Sequence, residues 1–300
     1  MLLPLHPELN EKLAVIRKRR GFQVSSWVES KIDVFIEWLH RTKITAAVLS
    51  LSGGIDSSVT LALLVETMKR PDCPLKKIVP IAQPIHSTLK IQNRAYTVSE
   101  HLGVDCITVD QTKLHDQLVS LVSASLGVEG GVFARGQLRS YQRTPVAYYV
   151  AQCLSQEGFP AIVVGTGNYD EDGYLRYFCK AGDGVVDLQL IADLHKSEVY
   201  DVGRYLGLPS LVVDAPPSAD LWEGQTDEEE LGFSYDFVEL FTEWLQFSET
   251  EREEFFAGTS EEALSQFNSL GAKAEQIHKR NAHKVNFPVN LNVFNEKSLM

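Results

Sequence analysis

The sequence predicts an α/β fold: a doubly wound, mostly parallel sheet with helices on both faces, of Rossmann-like type. Three observations carry that prediction. Short apolar runs rich in β-branched residues alternate with longer segments whose apolar residues recur at helical spacing. The runs are near-continuously apolar, as strands buried on both faces are. Two of them, ending at Leu51 and Val164, pass directly into glycine-bearing turns, and open α/β sheets bind ligands beyond the carboxyl ends of their strands.

Taken in order, Ser25 and Ser26 can cap a helix that buries Trp27, Ile32, Phe35, Ile36 and Leu39. Thr45 to Leu51 reads as a strand and Ser57 to Lys69 as the helix after it. Lys77 to Gln83 is a second strand closed by Pro84, and Leu89 to Leu102 is a helix ending at Gly103, a suitable C′ residue. Val104 to Val109 reads as a third strand and Thr112 to Leu126 as a helix. Gly127 to Gly131 is a break before a long helix, Gln137 to Gln156, in which Pro145 predicts a kink. Ala161 to Val164 is a fourth strand and Val185 to Leu190 a fifth. Lys196 to Leu206 is a helix closed by Gly207. Helices are expected over Leu231 to Leu245 and Glu261 to His283. One domain spans residues 1–300: a helical extension over 1–43, the α/β core over 44–213, a mobile Pro-rich and acidic loop over 214–230, and a helical part over 231–300.

Bulk properties narrow the function classes. Hydrophobic content of 44% and charged content of 23% are ordinary for a globular chain. A net charge of −12 repels polyanions, so no nucleic-acid partner is expected. The basic cluster Lys12, Arg17, Lys18, Arg19 and Arg20 reads as a solvated surface segment. No apolar run reaches the roughly 18 residues a membrane span requires, and the N-terminus does not read as a signal peptide. Cys73, Cys106, Cys153 and Cys179 are widely spaced, which suits a reducing cytoplasm and no disulfide framework.

The turn after the first strand, Ser50-Leu51-Ser52-Gly53-Gly54-Ile55-Asp56-Ser57-Ser58, carries the most chemistry. A glycine pair between strand and helix lets backbone N–H groups converge at a positive helix end, which binds phosphate. It is not a Walker A loop, since no GxxxxGK[ST] run exists in the chain. Asp56 places a carboxylate inside that anion cradle, and a divalent cation between carboxylate and phosphate relieves the repulsion. Mg²⁺ is therefore expected.

This string resembles the loop of the N-type ATP pyrophosphatases, which cleave ATP between its α and β phosphates. Further strings, in order and in register, resemble the NAD synthetases among them: Val164-Gly165-Thr166-Gly167-Asn168-Tyr169-Asp170-Glu171, Lys180-Ala181-Gly182-Asp183-Gly184-Val185-Val186-Asp187, Leu194-His195-Lys196, Pro217-Ser218-Ala219-Asp220-Leu221, the Asp227 to Tyr235 run, and His283-Lys284. The resemblance implies that Glu171 shares Mg²⁺ with Asp56, and that Thr166, Lys196 and Ser218 contact ATP. It assigns Lys180, Asp187, His283 and Lys284 to the deamido-NAD substrate, with Phe133 near its nicotinate ring. Where better-known members carry a substrate-binding arginine this chain has Tyr141, so Arg139 or Arg143 is expected to supply that charge.

The reaction so implied is amidation of deamido-NAD⁺ by ammonia: ATP adenylates the nicotinate carboxylate, and ammonia displaces AMP. The resemblance also implies a homodimer. Free ammonia is the expected nitrogen donor, because the residues before Ile44 are too few for an amidase domain and the first cysteine, Cys73, lies beyond the phosphate loop. A GMP synthetase or a tRNA-thiolating enzyme would share the loop. The thiolase would need reactive cysteines and a basic surface. A non-catalytic adenine-nucleotide sensor is the reading from a different class, and paired Asp56 and Glu171 argue against it.

Overall fold

The computed structural model describes residues 4–215, 226–285 and 288. Two helices, α1 (Pro7–Arg20) and α2 (Val24–Thr42), precede the sheet. Then come β1 (Ala46–Ser50), α3 (Ile55–Met68), β2 (Lys77–Ala82), α4 (Leu89–His101), β3 (Ile107–Thr108), α5 (Thr112–Leu126), α6 (Val132–Gln156) and β4 (Ala161–Gly165). A π-helical turn (Tyr169–Leu175) leads to β5 (Leu188–Gln189), α7 (Lys196–Tyr205) and the short α8 (Ser210–Val213). The C-terminal part holds α9 (Asp227–Leu231), α10 (Tyr235–Leu245), α11 (Glu249–Phe255), α12 (Glu261–Arg280) and a 3₁₀ turn (Ala282–Lys284).

The five strands are parallel in the order β3-β2-β1-β4-β5, with Ala46 opposite both Lys77 and Ala161. Strand order reverses about β1, between β2 and β4, which opens a crevice at the carboxyl edge. One sheet face carries α6, whose Ala147 and Ala151 pack on Val48, Ile81 and Val163. The other packs α2, α3 and α7 through residues such as Phe35, Leu39, Leu61, Val199 and Val202. A separate apolar cluster joins Leu9, Leu13 and Ile16 of α1 to Phe237 and Phe241 of α10 and Phe267 of α12.

Several sequence expectations are corrected. The sheet captures only the ends of the third and fifth apolar runs, Ile107–Thr108 and Leu188–Gln189. Helix α2 begins at Val24 behind Gln23, so Ser25 and Ser26 lie inside it. Helix α6 starts five residues earlier than Gln137 and runs through Pro145. The helix expected over Leu231 to Leu245 begins only at Tyr235: Leu231 is the last residue of α9, which Gly232 ends at φ +80°, and the Ser234 hydroxyl caps α10 by accepting from Phe237 N. The basic cluster is not a solvated segment throughout. Arg17 pairs with Asp236 and Glu239, and Arg20 with Glu198 and Glu243, fastening α1 to α10 and α7. The expected loop over 214–230 falls largely on residues outside those described, Ser218 among them, but its last four residues, Asp227 to Glu230, are helical in α9.

Candidate active site

β1 ends at Ser50 and the chain turns into α3 through Leu51 to Gly54. Gly53 adopts φ +80°, a left-handed backbone disfavoured for residues with a β-carbon. Gly54 is the N-cap of α3 and supplies no side-chain oxygen. The first-turn N–H groups of Ile55, Asp56 and Ser57 are thereby left without a side-chain cap at the positive end of the helix. The serines brace the turn instead. Ser52 Oγ lies 3.0 Å from Ser57 Oγ and accepts from Gly54 N at 3.2 Å, while Ser58 Oγ donates to Gly54 O at 2.7 Å.

This turn forms one wall of a cavity of about 280 Å³ at the carboxyl edge of the sheet. Ser50 to Ser57 line it together with Thr166, Glu171, Lys196, Arg143 and the Gln83-Pro84 segment just after β2. Ser58 sits behind the wall, fully buried. The loop after β4 reaches the cavity because Gly167 has no side chain: a Cβ there would collide with the Asp172 carboxylate and the Gln189 amide.

Lys196 opens α7 and is buried. Its Nζ donates to Asp56 Oδ2 at 2.6 Å and to Glu171 Oε1 at 2.7 Å, and lies over the Tyr235 ring. Both carboxylate side chains stay 17% exposed toward the cavity. Burial pulls the lysine down, but the two carboxylates outweigh it and hold Lys196 well above its usual value, so it remains a cation. Burial raises Asp56 above the ordinary carboxylate value. Glu171 meets the same burial, which Lys196 overcomes, leaving it below its usual value. Asn168, fully buried, aligns the pair: its Nδ2 donates to Asp56 Oδ1 at 2.9 Å, and its Oδ1 accepts from Glu171 N at 3.0 Å.

The substrate residues expected from the sequence are placed less uniformly. Arg143 lines the cavity and donates through Nε to Gln83 O at 3.2 Å. Arg139 is not in the lining. Lys180, His283 and Lys284 gather around the loop over residues 176–184, where Lys180 Nζ donates to His283 O and Lys284 Nζ to Phe178 O, each at 2.6 Å. Other residues of that loop, Tyr177, Cys179, Gly182 and Asp183, face the cavity. The Asp187 carboxylate accepts from Val163 N at 2.8 Å and from the Tyr148 hydroxyl at 3.2 Å, so it is engaged by the sheet edge. Phe133 opens onto solvent near the start of α6, 65% exposed.

Sequence reasoning singled out neither Asn168 nor His195 nor Tyr235. Asn168 carried a signal, three positions before Glu171, where an Asx side chain can accept from the glutamate N–H. His195 and Tyr235 gave none, because their partners are remote in sequence.

A parallel sheet with an uncapped glycine turn at its reversal point, and a lysine shared by two carboxylates beside it, defines a nucleotide-binding protein of the ATP pyrophosphatase fold. Within that class the chain belongs to the NAD synthase family, which matches residues 27–288. It is 34% identical over 217 residues to the NH(3)-dependent NAD(+) synthetase of Carboxydothermus hydrogenoformans, covering 71% of this chain and 84% of the relative. Among solved structures, the NMN synthetase from Francisella tularensis superposes with a TM-score of 0.73 at 25% identity, over 90% of this chain and 99% of that one. The NH3-dependent NAD synthetase from Campylobacter jejuni shares the fold with a TM-score of 0.68 at 20% identity, over 90% and 100% of the two chains.

Proposed function

We propose that this chain amidates deamido-NAD⁺ with ammonia at the expense of ATP, giving NAD⁺, AMP and pyrophosphate. The observation that carries this reading is Lys196 held between Asp56 and Glu171 at the cavity wall, facing an uncapped anion turn. A carboxylate resists amidation because its leaving group would be oxide. In the first step a nicotinate oxygen bonds to the α-phosphorus, and the bond to the β-phosphate oxygen breaks. The ammonia nitrogen then bonds to the acyl carbon, the carbon–oxygen bond breaks, AMP departs, and the surplus proton goes to solvent. Residues Ser50, Leu51, Ser52, Gly53, Gly54, Ile55, Asp56, Ser57 and Ser58 form and brace the pyrophosphate cradle, Thr166 and Ser218 contribute hydroxyls, and Lys196 neutralises phosphate charge. Catalysis is thus mainly orientation and charge stabilisation.

The donor set fits Mg²⁺. Asp56 and Glu171 present hard oxygen donors that already converge on one positive charge, the Lys196 ammonium, beside the anion turn. The two carboxylates would hold the ion, and it would supply charge neutralisation at the phosphates. On the acceptor side, Arg143 lines the cavity and is the better placed of the two arginines to answer for Tyr141. Lys180, His283, Lys284, Asp187, Arg139 and Phe133 remain substrate residues by resemblance.

A homodimer is supported by an exposed apolar face on α5 and the start of α6, where Leu121, Leu126, Val132 and Phe133 are each at least 65% exposed. No helix among the described residues is long and apolar enough to cross a membrane. Four unpaired cysteines suit the cytoplasm. Residues 1–300 are read as one unit, because α1 packs into the cluster built by α10 and α12.

The likeness to an NMN synthetase favours a second reading, in which the acceptor is the mononucleotide rather than the dinucleotide. Both are tested by one assay: ATP, ammonium and Mg²⁺ with deamido-NAD⁺, nicotinate mononucleotide or xanthylate as acceptor, following AMP and amide product. Deamido-NAD⁺ should give the highest kcat/KM. Preference for the mononucleotide establishes the second reading, and amidation of xanthylate alone overturns both.

A further inference from the structure

We propose that His86, His115 and Asp116 form a binding site for one zinc-class divalent ion, separate from the carboxylates that face the nucleotide. Each residue offers a ligand atom, and the three atoms lie within 4.8 Å of one another. His86 Nε2 is 2.7 Å from Asp116 Oδ1, and His115 Nδ1 is 3.3 Å from the same oxygen. Tetrahedral ligands at 2.0–2.1 Å from Zn²⁺ stand roughly 3.3 Å apart. The His115–Asp116 spacing already has that value, and His86 must withdraw by about half an ångström.

The buried imidazole is oriented for the task. His115 Nε2 lies 3.3 Å from Arg135 O, an acceptor only, so this nitrogen donates there and Nδ1 is the ring atom turned toward Asp116 Oδ1. When the ring is neutral with its proton on Nε2, Nδ1 and Asp116 Oδ1 are two acceptors facing each other, an arrangement that either a proton or a metal cation resolves. His86 and Asp116 are 40% and 57% exposed at their side chains, which gives an ion a route in and leaves coordination positions for water. Two imidazoles and one carboxylate favour zinc and its neighbours in the first transition row over Mg²⁺ or Ca²⁺.

The consequence for the fold is local. His86 lies in the turn after β2, at φ +54°, between Pro84 and Ser87, which both line the cavity. His115 and Asp116 belong to α5, and Arg135 to α6. A bound ion ties the cavity's β2 wall to both helices.

The test uses the full chain, free of any affinity tag, titrated with Co²⁺ in excess Mg²⁺. Visible d–d bands typical of nitrogen-ligated Co²⁺ should saturate at one ion per chain and vanish on adding Zn²⁺. Because His115 is buried, the exposed ligands carry the test: His86→Ala and Asp116→Asn should each weaken binding ~10-fold or more, and Glu171→Gln should leave the bands intact. Zn²⁺ should raise the melting temperature of the wild type and not that of His86→Ala. Absence of bands, or bands unchanged in both His86→Ala and Asp116→Asn, overturns the site.

Discussion

His195 and Lys196, consecutive residues at the start of α7, are each held between two carboxylates, and the difference lies in what else those carboxylates face. His195 is fully buried, with Nδ1 at 2.7 Å from Asp170 Oδ1 and Nε2 at 3.0 Å from Glu243 Oε1. Its partners are engaged elsewhere in the protein: Asp170 also accepts from Lys196 N at 2.7 Å, and Glu243 from Arg20 at 2.9 Å. Every bond in that cluster joins one element to another, the π-helical turn to α7, α10 and α1. Lys196 has the same kind of company, but Asp56 and Glu171 open onto the cavity and Asp56 belongs to the anion turn. One cation closes a network; the other fills a place that phosphate and metal can contest. A buried charge is therefore not by itself a sign of chemistry. The partners' access to solvent and ligand separates the two cases.

The largest effect expected on this contrast is at the open cluster. Lys196→Met should lower kcat ~10²–10³-fold, as loss of a preorganised charge donor does, with far-UV circular dichroism unchanged. Asp56→Asn and Glu171→Gln should also reduce turnover severely in folded protein. Near-normal rates at saturating Mg²⁺ in either variant would remove that residue from the metal assignment. At the closed cluster, His195→Ala should cost about 3–5 kcal/mol of stability by stranding buried carboxylates, measured by urea unfolding, while the folded fraction keeps its activity.

Arg20→Ala should cost less, about 1–3 kcal/mol, because its side chain is 26% exposed and water replaces part of its contacts. The smallest effect is in pH dependence. Burial opposes protonation of His195, but hydrogen bonds to Asp170 and Glu243, with the charges of Asp170 and Glu239, prevail and raise it from 6.5 to about 10. A raised folded-state value means that this stabilisation is complete below about pH 6.5 and fades as pH climbs through about 10. The gap in melting temperature between wild type and His195→Ala should narrow over that interval. A gap independent of pH would mean that His195 is not charged in the folded state.

The same contrast explains what was legible in the sequence. Asp56, Glu171 and Lys196 could be read because each stands in a local string tied to a strand end or helix start, and the sheet then brings those ends together. The closed cluster could not be read, since Arg20, Asp170, His195 and Glu243 come from four distant segments. Helix α1 illustrates the loss: Leu9, Leu13 and Ile16 share one face, yet the adjoining run of arginines and lysines reads as solvent-facing until its acidic partners on α7 and α10 are seen. Strand lengths failed for another reason. Apolar composition persists along the Val104 and Val185 runs and their neighbours run on beside them, but Pro80 of β2 has no N–H to offer and Val163 N of β4 is taken by the Asp187 carboxylate, so β3 and β5 shrink to two residues each. In the Asp227 to Tyr235 run the acidic residues read as loop yet form α9, and a helix begun at Leu231 overlooks Gly232 and Ser234, which mark a stop and a new cap.

The most direct test places the neighbouring cations side by side: AMP and NAD⁺ formed from ATP, deamido-NAD⁺ and ammonium by wild type, Lys196→Met and His195→Ala, each normalised to the folded fraction from near-UV circular dichroism. Lys196→Met should be folded and nearly inactive, and His195→Ala poorly folded but active per folded molecule. An active Lys196→Met, or a well-folded and inactive His195→Ala, would contradict the division of roles between the two.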